Sequence, residues 1–503
     1  MNNLFDTLFE ISDSANSLDS FLNENMQLVN DFYNSNYNNI IRCKNSIERF
    51  ILLKSNVIAE LDFTKSYPKS FILMLLDYCE RFNFIAATPK VCSVLTSNNI
   101  AINSRLQAAL LFLYPKPETN SELVEKFDSI CEKLQLAIDI EEDNDKKAIA
   151  TFLNYYGIVV NDTRLKFAEQ IREKLESAIE NYTYPFLNNS HIIDAQKIEL
   201  QDTNFVYTQI QCLIDKLLEK VETVITIPQF EQEQVLPEID LLIETDTSYS
   251  KALVSVLNNF DDIRAISVRN ASGTAITNRG VKILESEEEL FEYMKRFGNM
   301  HKAKLQVAYD LFPKTFPSKV NIIDWGCGQG FASMLFIEQF GSEIINDITL
   351  IEPSEIAIKR AALHTRKYNS AIALKTICKK LDDLEATDFT NEQADVTFHL
   401  FSNILDIDDY SQSHLIQLLE STMSGNNCFV CVSPYIDDIK ADRVDSFARY
   451  FAKYETYKLL SEADDQKSNR WYCNDLFNNH KFECDCCNAN CWTRIMRVFE
   501  INV

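Results

Sequence analysis

The sequence predicts an all-α region followed by an α/β region whose sheet is mostly parallel. Two observations predict this order. Residues 1–225 carry apolar residues at helical spacing and contain a single glycine, Gly157. From residue 320 onward, short apolar runs alternate with helix-like stretches, which is typical of a parallel sheet covered by helices on both faces.

The all-α region reads as a series of short amphipathic helices. Steps of three and four residues place one apolar stripe on a single helix face, made by Leu123, Phe127, Cys131, Leu134 and Ile138. Thr119 and Glu122 have the spacing of a capping box at the start of that helix. Short helices joined by short turns predict a solenoid-like array, although no sequence repeat of fixed period accompanies them.

Changes in composition divide the chain into three predicted segments. These are a helical domain at 1–225, an acidic, proline-punctuated linker with a small mixed segment at 226–285, and an α/β domain at 286–503. Within the mixed segment, the runs 263–268 and 275–277 flank a turn-like stretch at 270–273. They predict a small β-hairpin.

The α/β domain is expected to contain seven strands. Five parallel strands are predicted at 320–324, 347–352, 372–378, 394–401 and 427–433, with helices near 331–340, 354–367, 411–422 and 440–453. Residues 481–487 and 491–501, joined by a turn at 488–490, predict an antiparallel pair at the end of the chain.

The bulk composition narrows the possible partners and location. The formal net charge of −25 over 503 residues argues against broad electrostatic binding to DNA or anionic membranes. No run of 18 apolar residues occurs and the first residues lack the pattern of a signal peptide, so we expect a cytoplasmic protein without a membrane span. The fourteen cysteines are then free thiols. Several lie in apolar runs and are expected to be buried, namely Cys79, Cys131, Cys212, Cys428 and Cys431.

A glycine turn is the most informative feature of the chain. Three of its nine glycines, Gly326, Gly328 and Gly330, fall within five residues, directly after an apolar run that ends in Asp324. Without a Cβ, the backbone can approach a ligand closely and adopt positive φ angles at little cost. The helix that follows would present free N–H groups to the same ligand, so the stretch predicts a nucleotide-binding turn.

A second acid strengthens this interpretation. Glu352 ends the apolar run 348–351 and lies 22 residues after Gly330. In nucleotide-binding α/β domains, an acid at the end of the second strand, about 20 residues beyond the turn, accepts hydrogen bonds from ribose hydroxyls.

These residues resemble the motifs of class I S-adenosylmethionine-dependent methyltransferases over roughly residues 290–503. The resemblance implies a Rossmann-like seven-stranded sheet with an antiparallel terminal hairpin, and S-adenosyl-L-methionine as cofactor. It implies that the acid and glycines of the turn hold the methionine portion and that Glu352 holds the ribose. The first-motif residues expected at the cofactor are Asp324, Gly326, Cys327, Gly328 and Gly330.

The resemblance also implies residues beside the adenine and the methyl acceptor. Leu381 and Asp382, in a register that can slip by one, match the pair that borders the adenine. Phe401, Ser402 and Asn403 lie at the end of the fourth strand, where the family places residues facing the transferred methyl. The stretch lacks the Asn/Asp-Pro-Pro-Tyr box of enzymes that methylate exocyclic amines of DNA bases.

Two histidines and one further acid near this place have alternative interpretations. His399 and Asp406 are candidates near the methyl, but strand alternation favours a core position for His399. His301 lies on the helix before the first strand. There it either contacts cofactor or substrate, together with Tyr293 and Phe297, or belongs to an ordinary amphipathic helix, which is slightly favoured.

Other functions remain open from the sequence. NAD and FAD are alternative ligands, but their turn is usually Gly-x-Gly-x-x-Gly, and here the third glycine comes one residue earlier. The cysteines near residues 484–491 lack paired Cys-x-x-Cys spacing, which favours buried thiols over zinc. The acceptor is expected to be protein or RNA rather than a small molecule. A non-catalytic S-adenosylmethionine-binding scaffold, or a helical domain that binds a protein partner, is the alternative.

Overall fold

The computed structural model describes most of the chain. Its described residues are 4–115, 119–139, 145–161, 165–200, 203–219, 247–273, 283–313, 316, 319–389, 396–465 and 493–503. They form two compact units. One comprises residues up to 225 together with 437–439, and the other comprises the remaining residues from 226 onward.

The described part of the first unit is helical throughout. Its α-helices are α1 Leu4–Ile11, α2 Ala15–Tyr33, α3 Tyr37–Arg42, α4 Lys44–Ala59, α5 Ser66–Phe82, α6 Thr88–Ser97, α7 Ser104–Leu113, α8 Asn120–Glu125, α9 Phe127–Asp139, α10 Asp145–Val160, α11 Leu165–Glu180, α12 Ser190–Lys197 and α13 Thr203–Leu218, with a 3-10 turn at Pro185–Asn188. The predicted stripe between 123 and 138 falls on two consecutive helices, α8 and α9. Thr119 Oγ1 accepts a hydrogen bond from the Glu122 amide at 3.3 Å, so the N-cap bond of the predicted capping box is present.

A cluster of charged side chains is buried inside this helical unit. Asp77 accepts hydrogen bonds from the Tyr33 hydroxyl at 2.7 Å, from Arg81 at 2.8 Å and from Arg105. Arg105 also contacts Glu80 at 3.3 Å. Burial alone would raise the pKa of Asp77, but the two guanidinium groups more than offset this and hold that pKa below its usual range.

The second unit contains helices, strands and short 3-10 turns. Its helices are α14 Thr247–Val254, α15 Phe260–Asn270, α16 Glu287–Tyr309, α17 Phe331–Phe340, α18 Glu355–Tyr368, α19 Gln412–Thr422 and α20 Asp438–Phe451. Its strands are β1 Val320–Trp325, β2 Ile345–Ile351, β3 Ala373–Ile377, β4 Val396–Ser402, β5 Asn426–Ser433, β6 Lys458–Asp465 and β7 Arg494–Asn502. Further 3-10 turns lie at Ser342–Ile344, Leu381–Asp383 and Ala386–Asp388.

The seven strands form one sheet in the order β3-β2-β1-β4-β5-β7-β6. Strands β1 to β5 are parallel, whereas β7 runs antiparallel to both β5 and β6. Neighbouring residues of β4 point to opposite faces: Leu400 packs in one hydrophobic cluster and Phe401 in the other. The predicted mostly parallel, seven-stranded sheet with an antiparallel terminal pair is therefore confirmed.

One strand differs from the prediction. The strand paired with the end of the chain is β6, Lys458–Asp465, and the sequence pattern did not indicate it. Strand β7 pairs with β5 on one edge and with β6 on the other. Residues 481–487, which were predicted to pair with 491–501, lie outside the described part of the chain.

The predicted hairpin in the mixed segment is also wrong over its described half. Residues 263–268 lie in helix α15, whose first turn is capped by the Asn259 side chain accepting from the Asp262 amide at 2.8 Å. Phe260, Ile263 and Ile266 are buried at helical spacing in the core of the sheet unit, and this packing overrides the β-propensity of the run. Residues 275–277 lie outside the described ranges.

The described cysteines are free, and most of those expected inside are buried. Cys79, Cys131, Cys428 and Cys431 are buried, but Cys212 is exposed because it lies on the solvent face of helix α13. Cys484, Cys486, Cys487 and Cys491 lie outside the described residues. Among the described helices, none combines the length and apolar character that crossing a bilayer requires.

Candidate active site

A cavity opens at the carboxyl ends of β1, β2 and β4, where loops from parallel strands meet. Its walls come from the glycine turn, from the segment after β2, from the loops after β3 and β4, and from helix α16 with the residues before it. The lining residues are Ile283, Leu284, Tyr293, His301, Asp324, Gly326, Cys327, Gly328, Gln329, Phe331, Ala332, Ile351, Glu352, Pro353, Ala357, Lys379, Lys380, Leu381, Ser402, Asn403, Ile404, Ile407, Asp409 and Tyr410.

Two glycines of the turn are required for different reasons. Gly328 has a φ of +52°, and a Cβ there would meet no atom within 4 Å, so its side of the turn is open toward the cavity. Gly330 has a φ of +77°, and its Cβ would lie 3.1 Å from Ala361 Cβ and 3.3 Å from Ala361 Cα. The first glycine therefore leaves room for a ligand, and the second lets helix α18 pack against the turn.

Asp324 ends β1 beneath the turn. It is buried, and one carboxylate oxygen accepts hydrogen bonds from the Ser333 amide at 3.1 Å and the Ser333 hydroxyl at 2.7 Å. These bonds satisfy an amide in the first turn of helix α17. Burial raises the pKa of Asp324 to about 6, although the hydrogen bonds from Ser333 partly oppose the shift.

Glu352 follows β2 and joins that strand to the glycine turn. Its two oxygens accept hydrogen bonds from the amides of Gly328 and Ser354, both at 3.0 Å. Burial raises the pKa of Glu352 to about 7, and the two amides partly oppose the shift. Its place beside the turn matches the position predicted for a ribose-binding acid.

Among the described residues, neither Asp324 nor Glu352 forms an ion pair with a lysine, arginine or histidine. Lys379, which lines the cavity, pairs instead with Asp388 at 2.6 Å. The cavity therefore favours ligands that donate hydrogen bonds or carry positive charge.

The end of the cavity beyond β4 holds a connected set of polar side chains. Lys304 Nζ lies 2.6 Å from Asn403 Oδ1, and because an ammonium only donates, this contact fixes the orientation of the amide. Asn403 Nδ2 then donates to His301 Nε2 at 3.0 Å, so the ring hydrogen is on Nδ1 and is donated to Ser402 Oγ at 2.9 Å. Burial, with a contribution from Lys304, holds the pKa of His301 well below its usual value.

Asn403 has a positive φ of 60°, which is uncommon outside glycine. Its amide donates to the Val432 carbonyl at 2.8 Å, which anchors the turn to strand β5. Ser402 and Asn403 thus lie in the cavity as predicted, and His301 joins them, contrary to the slightly favoured interpretation of an ordinary amphipathic helix.

Three other candidates near the methyl do not line the cavity. Phe401 was predicted to border the acceptor, but it is fully buried in the core, with its ring parallel to that of Trp325 at 5.6 Å. His399 accepts a hydrogen bond from Trp325 Nε1 at 3.3 Å and contacts Asn427 Oδ1 at 3.1 Å, so the favoured core position is confirmed. Asp406 is buried outside the lining.

The segment after β3 is displaced by about one residue from the prediction. Lys380 and Leu381 line the cavity, whereas Asp382 is exposed and accepts a hydrogen bond from the Ser411 amide at 2.8 Å. Asp382 therefore supports the start of helix α19 instead of contacting a ligand. The short 3-10 turn at Leu381–Asp383 accounts for the shift, because it turns successive side chains in different directions.

Several lining residues were not singled out in the sequence. One of them is Phe331, which lies in T-shaped contact with His301, with ring centroids 5.1 Å apart. Tyr293, a candidate on the same helix as His301, packs against both rings. The loop after β4 adds Asp409 and Tyr410. The sequence could have indicated Phe331, because it directly follows the third glycine. Nothing in the sequence indicated the residues of the loop after β4.

Several solved structures of methyltransferases are similar to part of this chain at low identity. No protein-family model matches the chain, and no curated protein matches it. Among solved structures, the plantazolicin methyltransferase BpumL in complex with SAH is 16% identical, with a TM-score of 0.26 over 52% of this chain and 97% of that one. Geranyl diphosphate methyltransferase in complex with GPP and sinefungin is 10% identical, with a TM-score of 0.28 over 51% and 98%.

A SAM-dependent O-methyltransferase from Thermotoga maritima is 15% identical, with a TM-score of 0.26, covering 39% of this chain and 63% of that one. At these identities and TM-scores, the similarities do not by themselves support a conclusion about this chain. The strand order, the antiparallel β7 and the glycine turn followed by Glu352 make the second unit resemble the class I S-adenosylmethionine-dependent methyltransferases.

Proposed function

We propose that the α/β unit binds S-adenosylmethionine and transfers its methyl group to an acceptor. The observation that carries this proposal is the pair of acids, Asp324 and Glu352, that flank an open glycine turn without a cationic partner in the described protein. S-adenosylmethionine presents two ribose hydroxyls, an ammonium and a sulfonium. These are the hydrogen-bond donors and positive charges that two such carboxylates favour.

Asp324 argues against a dinucleotide. NAD and FAD place a doubly charged pyrophosphate at the glycine turn. An acid at the place of Glu352 also suits an NAD ribose, but Asp324 beneath the turn would repel the pyrophosphate in a partly desolvated site. The early third glycine, Gly330, supports the same choice.

Each part of the proposed ligand has residues that suit it. Glu352 would accept hydrogen bonds from the ribose hydroxyls, and Asp324 would balance the positive charge of the methionine portion. Leu381, Ile351 and Ile404 offer apolar surface to the adenine ring. At Gly328 the backbone could approach the ligand closely, because no side chain intervenes there.

Little covalent chemistry is required of the protein. Bound S-adenosylmethionine supplies a methyl carbon on a sulfonium, and transfer breaks the carbon–sulfur bond, leaves a neutral thioether and forms one bond to the acceptor's lone pair. The side chains need to align the acceptor with that carbon and to exclude water. Ser402, whose oxygen already accepts from His301, has its own hydrogen free to orient an acceptor group at this end of the cavity.

His301 is unsuited to remove a proton from the acceptor. Its Nε2 faces the Asn403 amide hydrogens, and Lys304 prevents that amide from turning over. A second hydrogen on the ring would therefore face a donor, next to an existing positive charge. We propose that the acceptor atom reacts as a free lone pair, as an unprotonated amine or a thiolate does, without a base from His301.

Calorimetric titration of the full chain with S-adenosylmethionine tests donor binding. The wild type should bind saturably, and Gly328→Arg should abolish binding by filling the open side of the turn. Gly273→Arg is the matched control, because Gly273 also has a positive φ and open space but lies away from the cavity. Equal binding by both variants, or binding of NAD alone by the wild type, would refute the donor assignment.

We further propose that the acceptor is a macromolecule and more specifically a protein, since a net charge of −25 disfavours contact with RNA phosphates. Labelled methyl groups transferred into a cell extract should then be released by protease and not by ribonuclease. Saturable donor binding without label in any fraction would favour the alternative, a non-catalytic S-adenosylmethionine-binding scaffold.

A further inference from the structure

One peptide of the glycine turn is held at both of its ends. The carbonyl of Gln329 lies 2.8 Å from His364 Nδ1, and the amide of Gly330 donates to the Cys327 carbonyl at 2.7 Å. These two groups belong to the same planar peptide unit, so its orientation is fixed from two sides.

The contact to Gln329 determines the tautomer of His364. A carbonyl only accepts, so the hydrogen of the buried ring is on Nδ1 and Nε2 carries the lone pair. The Tyr249 hydroxyl lies 2.7 Å from Nε2 and donates to it. Without that donor, the ring could carry its hydrogen on Nε2, and its Nδ1 lone pair would then face the Gln329 carbonyl oxygen.

Tyr249 is itself firmly placed. It lies on helix α14, is buried in the core of the sheet unit, and has the Arg360 guanidinium 3.4 Å from its ring centroid. Arg360 also pairs with Glu287, at the start of helix α16, at 3.1 Å. Tyr249 and His364 therefore connect helix α14 to the turn through packed, hydrogen-bonded groups.

The orientation of this peptide matters because glycines flank it. Gly328 and Gly330 both have positive φ, and glycine tolerates alternative backbone angles that other residues resist. A rotated 329–330 peptide would lose the bonds to both His364 and Cys327. It would also change the shape of the turn on which Gly328, open to the cavity, lies.

We propose that Tyr249 and His364 are positioning residues that hold the glycine turn in the conformation that binds the methyl donor. This inference rests on the proposed function for the affinity part of its test. Neither residue lines the cavity, so both act through Gln329 and not by touching the ligand.

Three variants of the full chain separate positioning from simple packing. His364→Leu removes the donor to the Gln329 carbonyl. His364→Asn restores a donor, because the Asn amide nitrogen can occupy the place of the ring Nδ1. Tyr249→Phe keeps the ring beside Arg360 but removes the hydroxyl that donates to His364 Nε2.

Affinity for S-adenosylmethionine and the melting temperature would be measured for each variant. His364→Leu should weaken binding about 3- to 10-fold, the range expected for one buried neutral hydrogen bond. His364→Asn should recover most of that loss, and Tyr249→Phe should weaken binding in the wild type but not when combined with His364→Asn. Losses that follow the melting temperature across all variants, or no losses, would overturn the proposal.

Hydrogen exchange of the ligand-free chain provides a readout that does not depend on the donor. The Gly330 amide should exchange faster in His364→Leu and at nearly the wild-type rate in His364→Asn. Unchanged exchange in His364→Leu would overturn the proposal even if the donor binds. Faster exchange in a chain that binds no S-adenosylmethionine would support the peptide clamp and refute the proposed function.

Discussion

The Glu352 carboxylate accepts a hydrogen bond from the Gly328 amide at 3.0 Å, which ties the end of strand β2 to the middle of the glycine turn. The amide belongs to the residue whose side is open to the cavity, and the carboxylate lines the same cavity. One side chain thus shapes the turn and offers its remaining lone pairs to a ligand.

Replacing Glu352 by Ala should weaken S-adenosylmethionine binding at least about tenfold, since a hydrogen bond to a buried charged group contributes about 1.5–3 kcal/mol. Titration calorimetry measures the change. Glu355→Ala is the control, because Glu355 is an exposed acid three residues further on that does not line the cavity. Equal affinities of the Glu352 variant and the wild type would remove Glu352 from the ribose site.

Donor affinity should fall as the pH is lowered. Burial raises the pKa of Glu352 to about 7, and a protonated carboxyl accepts fewer hydrogen bonds from ribose hydroxyls. Binding should therefore be strongest above about pH 7.5 and weaken by up to about tenfold per pH unit below pH 7, with Asp324 adding to the loss near pH 6.

Folding stability of the protein without the donor depends on pH in the opposite direction. A raised pKa means that the folded state holds the proton more tightly, so the contribution of Glu352 to stability declines as the pH rises from about 4.5 to about 7. Calorimetry between pH 5.5 and 8.5 checks the affinity, with Glu352→Gln as the variant that should lose most of the dependence. A flat profile for the wild type would contradict the assignment.

Two glycines of the turn should respond differently to alanine. Both have positive φ, so both substitutions carry a backbone cost of about 1–2 kcal/mol. Gly330→Ala also forces a Cβ against Ala361 and should lose a further 1–3 kcal/mol, roughly, from overpacking. Gly328→Ala has open space and should mainly weaken donor binding.

Chemical denaturation and donor titration of both variants measure the two effects separately. The structure would be contradicted at this turn if Gly328→Ala proved the less stable of the two, or if Gly330→Ala alone impaired binding.

The strands that could be predicted well from the sequence are those whose burial gives a recognisable run of apolar residues. Strands β1, β2, β4 and β5 are buried on both faces and appear as apolar runs, so each was found within two residues of its observed ends. Strand β6 lies at the sheet edge, is largely exposed and ends in acidic residues, which removes that signal.

The parts of the site that could be predicted are those whose residues lie close together in the sequence. The glycine turn and Glu352 are set by spacing along the chain, and both lie at the cavity as expected. The error at Phe401 is a single residue: alternation along β4 sends Phe401 into the core, and Ser402 begins the cavity wall. His301 meets Ser402 across 101 residues, a contact that depends on how helix α16 packs.

Methyl transfer should survive the conservative replacement of His301. If the acceptor reacts without a base from this ring, His301→Asn, which keeps a donor toward Ser402, should lower the rate by less than about tenfold, whereas loss of a general base costs about 10²- to 10⁴-fold. The rate would be followed as S-adenosylhomocysteine formation with the acceptor-containing extract fraction.

His301→Leu provides the comparison, because it removes the donor to Ser402 as well as the ring. It should be slower than His301→Asn if Ser402 orients the acceptor. A loss of 10²-fold or more in both variants, together with a rate that follows a single ionisation near neutral pH, would instead identify His301 as the base.

Substitution of Arg105 should destabilise the helical unit strongly, because its guanidinium compensates two buried carboxylates. Arg105→Ala would leave Asp77 and Glu80 buried with less compensating charge, which should destabilise the full chain by about 3–5 kcal/mol. Lys174→Ala breaks an exposed pair with Asp128 in the same unit and should cost less than about 1 kcal/mol.

The destabilisation by Arg105→Ala should also depend on pH. Burial raises the pKa of Glu80 to about 7 even with Arg105 present, so the carboxyl is readily protonated in mildly acidic solution and needs less compensation there. The loss should therefore be larger at pH 8 than at pH 5.5. Chemical denaturation at the two pH values measures it, and equal losses at both would show that Glu80 does not respond to the removal of Arg105.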